Sequence, residues 1–139
     1  MRAICRLTAV LAALAASVGC GSSSSPTTPS TPATTTTETF TGTISEGNAH
    51  AYSFTSNPGT VTVVLNSVQP DSSIAIGMSL GTWDGGTCTV GSGLFNDNAV
   101  VNATITATVT TTGALCARIY DGPATITQPT TYVITVVHP

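Results

Sequence analysis

Gly77-Met-Ser79-Leu-Gly81 has the glycine, serine, glycine spacing of a nucleophile elbow, and Asp84, Asp97 or Asp121 followed by His138 completes a serine, acid, histidine order. An elbow needs a strand, a sharp turn and then a helix that lifts the serine to the top of a parallel sheet. Ser79 instead falls inside an alternating stretch that runs into Trp83-Asp-Gly-Gly86, so it is expected to be an outward-facing strand serine and not a nucleophile. His50 and His138 are the two imidazoles, and no third ligand stands at a spacing that metal sites use. Asn96-Asp97-Asn98 has the look of part of a calcium loop but lacks the alternating acids and closing glutamate, and reads as a solvated turn. No catalytic residue, metal or cofactor is therefore expected.

Two further groups carry chemistry of another kind. Trp83, the single tryptophan, stands beside Asp84 on a Gly-rich segment, 81–86, expected to be a loop, where an indole can stack on a sugar ring with Tyr120 as a second platform. The alternative is that Trp83 folds back over the end of the domain. Asn102-Ala-Thr104 is a glycosylation sequon by formula only. Of four cysteines, Cys5 and Cys20 lie in the N-terminal region, which leaves Cys88 and Cys116 as one pair expected to form a disulfide in an oxidising compartment. Closing such a loop constrains the unfolded chain by roughly 3–4 kcal/mol.

The elements that would hold these residues begin with an export signal. Arg2 and Arg6 precede an apolar run from Leu7 to Val18, too short for a permanent transmembrane helix, and small residues stand before Cys20. Val18-Gly19-Cys20 resembles the lipobox of bacterial lipoproteins, with Ser17 where that family usually carries Leu. The resemblance implies cleavage of residues 1–19 and diacylglyceryl modification of Cys20, which would anchor the chain in a membrane. Gly21, where an Asp would retain the protein in the inner membrane, implies the outer membrane of a bacterial cell envelope, periplasmic or surface-facing.

Residues 20–38 are Ser, Thr and Pro with almost nothing apolar and cannot offset the entropy of ordering. They read as a flexible tether reaching up to about 55 Å, at about 3.1 Å per residue. Beyond the signal the chain has one basic residue, Arg118, and no Lys, against six acids, a formal charge of −5. The positive footprint of a nucleic-acid binder is missing.

From 39 to 139 the pattern has period two, interrupted by Gly, Pro, Asn and Asp. Phe40, Gly42 and Ile44 share a face, followed by a turn at 45–48 and by His50, Tyr52 and Phe54. Asn57-Pro58-Gly59 turns into Val61, Val63 and Leu65, and after Gln69-Pro70-Asp71 a strand carries Ile74, Ile76, Met78 and Leu80. Cys88 is placed on a short strand and 91–98 in a loop. Ile105, Ala107 and Val109, then Leu115, Ala117 and Ile119, then Tyr132, Ile134 and Val136 complete the inward set, which leaves Cys116, Arg118 and Tyr120 on an opposite face. Seven or eight short strands in about 100 residues predict an all-β fold, an antiparallel β-sandwich of immunoglobulin-like or jelly-roll-like type.

Phe40-Thr-Gly42, Tyr52-Ser-Phe54, Pro58-Gly59-Thr-Val61-Thr-Val63 and Tyr132-Val-Ile134-Thr-Val136 are similar to the bacterial pre-peptidase C-terminal domain. That resemblance implies a small accessory β-sandwich of exported proteins, here expected to form the whole mature chain without a peptidase domain ahead of it. The function expected is non-catalytic: a lipid-anchored envelope module that binds another envelope or extracellular protein. Polysaccharide binding through Trp83 is the alternative, and hydrolysis at Ser79 a remote one.

Overall fold

Alternation of β-branched and small residues with Thr makes each segment half-buried, the condition under which strands pair and stack. The computed structural model describes residues 34–139; the signal, Cys20 and most of the tether lie outside the described residues. Eight strands follow in order: β1 (Thr36–Ile44), β2 (Ala49–Ser56), β3 (Gly59–Gln69), β4 (Ile76–Trp83), β5 (Cys88–Ala99), β6 (Thr104–Val109), β7 (Gly113–Tyr120) and β8 (Thr130–His138). They form two four-stranded sheets, β1-β8-β3-β6 and β2-β7-β4-β5, with every pairing antiparallel. The fold is the β-sandwich that the period-two pattern predicts.

The expected inward residues fill the space between the sheets. Ile44, Val61, Val63, Leu65, Tyr132, Ile134 and Val136 of the first sheet meet Phe54, Ile76, Met78, Leu80, Leu115, Ala117 and Ile119 of the second. Several boundaries differ from expectation. β4 runs through Trp83, so residues 81–83 of the expected 81–86 loop are strand, paired with Cys88, Thr89 and Val90 of β5. β1 starts at Thr36, because Thr36, Thr37 and Glu38 continue the ladder against His138, Val137 and Val136 and so belong to the sheet and not to the tether. The segment 91–98, expected as a loop, lies within the 12-residue β5. As an outermost strand β5 needs no apolar alternation on its solvent side, and Gly, Ser, Asn and Asp are tolerated there despite their low strand propensity.

The two open sides of the sandwich are unlike. Where β1 passes to β2, Phe40 stacks on Tyr52 with ring centroids 4.7 Å apart, and the Tyr52 and Tyr132 hydroxyls share a 2.8 Å hydrogen bond. That side is closed by aromatic rings. On the other side β5 and β6 end their respective sheets without pairing to each other.

Candidate functional site

Alternation sends one set of second-sheet side chains outward, and that face holds most of the chemistry-bearing residues. Gly77, Ser79 and Gly81 of β4 are flanked by Tyr120, Arg118 and Cys116 of β7. On the opposite flank Ser79 pairs with Phe95 of β5, which is 54% exposed. A Cβ on Gly77 would run into the Tyr120 ring, so the glycine is what lets that ring lie flat over β4. The phenol then donates a hydrogen bond to Asp97. Burial, with the Asp97 carboxylate beside it, pushes the Tyr120 phenol up to about 12.

Arg118 completes this stack. Its Cζ lies 4.6 Å from the Tyr120 ring centroid, a cation–π contact. No carboxylate among the described residues lies within 4.0 Å of its guanidinium; the one acid–base side-chain contact within that distance joins His138 to Glu38. Arg118 and Trp83, with Ala49, Ala51, Gly86 and Thr87, line an open cleft of about 340 Å³.

The expected ligand residues thus fall into different roles. Trp83 is half-buried and lines the cleft. Asp84 shapes the loop: one carboxylate oxygen accepts from the Thr87 amide at 2.7 Å and the Gly86 amide at 3.0 Å, which lowers its pKa below the ordinary carboxylate value. Tyr120 supports Arg118 from behind. Arg118 was not among the expected site residues, although its being the single basic residue after the signal, in phase with Tyr120, was a usable signal.

The disulfide joins Cys88 and Cys116, with Cα atoms 5.7 Å apart. It lies on this outer face, as the phase of β7 predicts. β4 stands between β5 and β7 in the sheet, so the bridge requires β5 to cross close over β4. Gly81 makes that crossing practicable: a Cβ there would collide with the Thr89 carbonyl of β5. Trp83, paired with Cys88 at the end of β4, is thereby held next to the bridge.

Ser79 corrects an expectation. It keeps the outward phase of β4 but is fully buried and not solvent-exposed, because the flanking outer-face side chains cover the strand, and its Oγ has no hydrogen-bond partner among the described residues. His138 lies in the other sheet, 4% exposed, with Nε2 3.0 Å from Glu38 and its ring 5.1 Å from that of Phe54. Asp121 is committed to turns, accepting from the amides of Gly47 at 3.1 Å and Thr125 at 3.1 Å. The serine, acid and histidine are not brought together. His50 stands edge-on to Tyr132, 6.4 Å between centroids. Among the described residues no group of three or more His, Cys, Asp or Glu side chains could hold a metal ion. Asn96-Asp97-Asn98 is part of β5 and not a loop.

A second surface feature lies where the sandwich is open. Between β6 and the facing β4, β5 and β7 runs a groove of about 470 Å³, lined by Leu80, Val90, Leu94, Ala107, Val109 and Leu115 among others. β6 pairs only with β3, so the other edge of its backbone has no ladder partner among the described residues.

No family model matches the sequence, and no curated protein matches it. Among solved structures, the chain is similar to the crystal structure of Aeromonas hydrophila PliG, a periplasmic lysozyme inhibitor of g-type lysozyme, at 10% identity with a TM-score of 0.46, over 72% of this chain and 83% of that one. A likeness at that level assigns no function here.

Proposed function

We propose that this chain is a non-catalytic β-sandwich module of the bacterial envelope that binds another protein through the groove between β6 and the second sheet. The single observation that carries this reading is that groove. It brings an apolar cleft of about 470 Å³ alongside a strand edge with one side unpaired among the described residues. An extended segment laid along β6 would gain backbone hydrogen bonds from the edge and bury alternate side chains against Leu94, Val109 and Leu115, the usual mode of strand addition. No Lys stands on that edge to discourage such pairing.

The anchor belongs to the same proposal. Lipidation at Cys20 and a tether ending before β1, through residues 20–35, would hold the sandwich at the outer membrane and let it search a wide radius for a partner. The pre-peptidase resemblance, an accessory module of exported proteins, agrees with a binding role.

Site-directed photocrosslinking in the native envelope tests this. A photoreactive residue at Thr108, exposed on β6, is expected to yield a discrete polypeptide adduct, while the same residue at exposed Ser53 on the β2 edge yields none. Val90→Asp, which places a charge in the groove at a position already 36% exposed, is expected to abolish the Thr108 adduct without unfolding the domain. Equal labelling from both edges, or an adduct indifferent to Val90→Asp, would reject the groove as the binding surface.

A further inference from the structure

The outer face of the second sheet carries a feature that protein binding at the groove does not use. Arg118 is the only Lys or Arg among the described residues, in a chain with six acids, and yet it is unpaired. Two carboxylates belong to the same face and could have neutralised it. Asp84 is held by the Gly86 and Thr87 amides and Asp97 by the Tyr120 hydroxyl, so each is drawn away to another donor. The guanidinium is also set in place before any ligand arrives. It lies on Tyr120, which is itself fixed by Asp97 and by its seat over Gly77. A guanidinium held over an aromatic face by its Cζ has N–H groups left over for a ligand, and a guanidinium takes a carboxylate through two parallel hydrogen bonds.

We infer that Arg118 and Trp83 form a binding site for an acidic sugar, a uronic-acid unit of a polysaccharide, with Arg118 taking the carboxylate and the Trp83 indole the apolar face of the ring. The cleft they share, about 340 Å³, lies at the small end of ligand pockets, which run from ~300 Å³ upward, and suits one ring of a longer polymer. Thr87 at its margin carries a hydroxyl for the ring hydroxyls, while the Gly86 and Thr87 amides stay with Asp84. A peptide C-terminus presents the same carboxylate but no flat pyranose face for the indole. The net negative charge of the chain works against anions in general, so the site selects by the fork and the indole together and not by long-range attraction. This site is separate from the β6 groove and stands whether or not that reading holds.

Because Trp83 is the single tryptophan, its emission reports on this cleft alone. The full chain, disulfide intact and in neutral detergent, is titrated with trigalacturonate, with neutral galactotriose, and with a tripeptide bearing a free C-terminal carboxylate. Trigalacturonate is expected to shift the emission saturably, with galactotriose at least about tenfold weaker, since a charge-assisted hydrogen bond contributes that much. Arg118→Gln is expected to remove the preference with an unchanged melting temperature, and Arg118→Lys to restore part of it. Trp83→Ala, followed by calorimetry, loses binding of the acidic trimer. Equal binding of both trimers, no response to trigalacturonate, full retention in Arg118→Gln, or a response to the tripeptide alone would each overturn the assignment.

Discussion

Ser79 occupies the centre of the outer face of β4, between Arg118 and Phe95 in the ladder, and its hydroxyl has lost water without gaining a partner among the described residues. A buried hydroxyl left unpaired costs on the order of 1–3 kcal/mol. Ser79→Ala removes that cost along with one small polar atom, and the stability of the domain is expected to rise by about 1 kcal/mol, read as a shift in the urea midpoint at constant slope. A loss of stability would mean that the hydroxyl is satisfied after all and that the outer face is built around it. At this scale the sequence is only half legible. The elbow-like glycines around Ser79 are real constraints, but they serve close approach and not a nucleophile: Gly77 admits the Tyr120 ring and Gly81 the β5 backbone. Local spacing shows that glycine is needed and cannot show what approaches it, because the approaching residues come from elsewhere in the chain. Arg118 is legible in part for the same reason: its charge and its phase with Tyr120 show in the sequence, its neighbours in space do not. Nothing near it in sequence says that it rests on Tyr120 and faces Trp83.

Strand identity follows from local pattern wherever one face is buried, as the alternation of Val61, Val63 and Leu65 and of Tyr132, Ile134 and Val136 demonstrates. β5 is the exception. Its composition carries no inward stripe, its pairing with β4 shifts register twice, and the Cys88–Cys116 bridge ties its first residue to β7 in addition to the ladder. Partner choice was equally hidden, since β1 pairs with β8 from the far end of the chain and no local signal encodes that. The crossing of β5 over Gly81 makes a prediction at this scale. Gly81→Ala forces the Thr89 carbonyl away and is expected to cost about 2–3 kcal/mol, in the range of overpacking. Reduction of the disulfide is expected to cost about 3–4 kcal/mol on its own. Both losses release the same crossing, so they should be less than additive: Gly81→Ala costs less in the reduced protein than in the oxidised one. Urea unfolding of the two proteins in both redox states completes the cycle. Strict additivity would show that the bridge and the crossing are independent.

For the whole molecule, the consequence of so few charges is that pH acts through a handful of groups whose surroundings differ between folded and unfolded chain. Two of them are tyrosines that sit on different faces. Tyr120 seals the outer face of the second sheet, and Tyr132 closes the β1 to β2 side from within the core. Burial raises both phenols above the ordinary value of 10.0, Tyr120 to about 12, with Asp97 adding to the first and the Tyr52 hydroxyl to the second. A phenol raised on folding binds its proton more tightly in the native state. Its contribution is therefore complete below about 10 and is lost as pH climbs toward the folded value. On the acid side Asp71 and Asp84 have lowered values because turn amides and, for Asp71, the Ser73 hydroxyl bind their charged forms. Their contribution is present above the ordinary carboxylate value and disappears as pH falls through the lower folded one. Both carboxylates are exposed, so the acid limb is expected to be shallow and the alkaline limb the steeper of the two. Urea midpoints at about pH 9 and about pH 11 check the alkaline limb, with a clear fall expected between them. Tyr120→Phe should flatten that fall without abolishing it, because Tyr132 remains. An identical midpoint at both values would mean that neither phenol is held as the packing requires, and the support behind Arg118 would have to be sought elsewhere on the sheet.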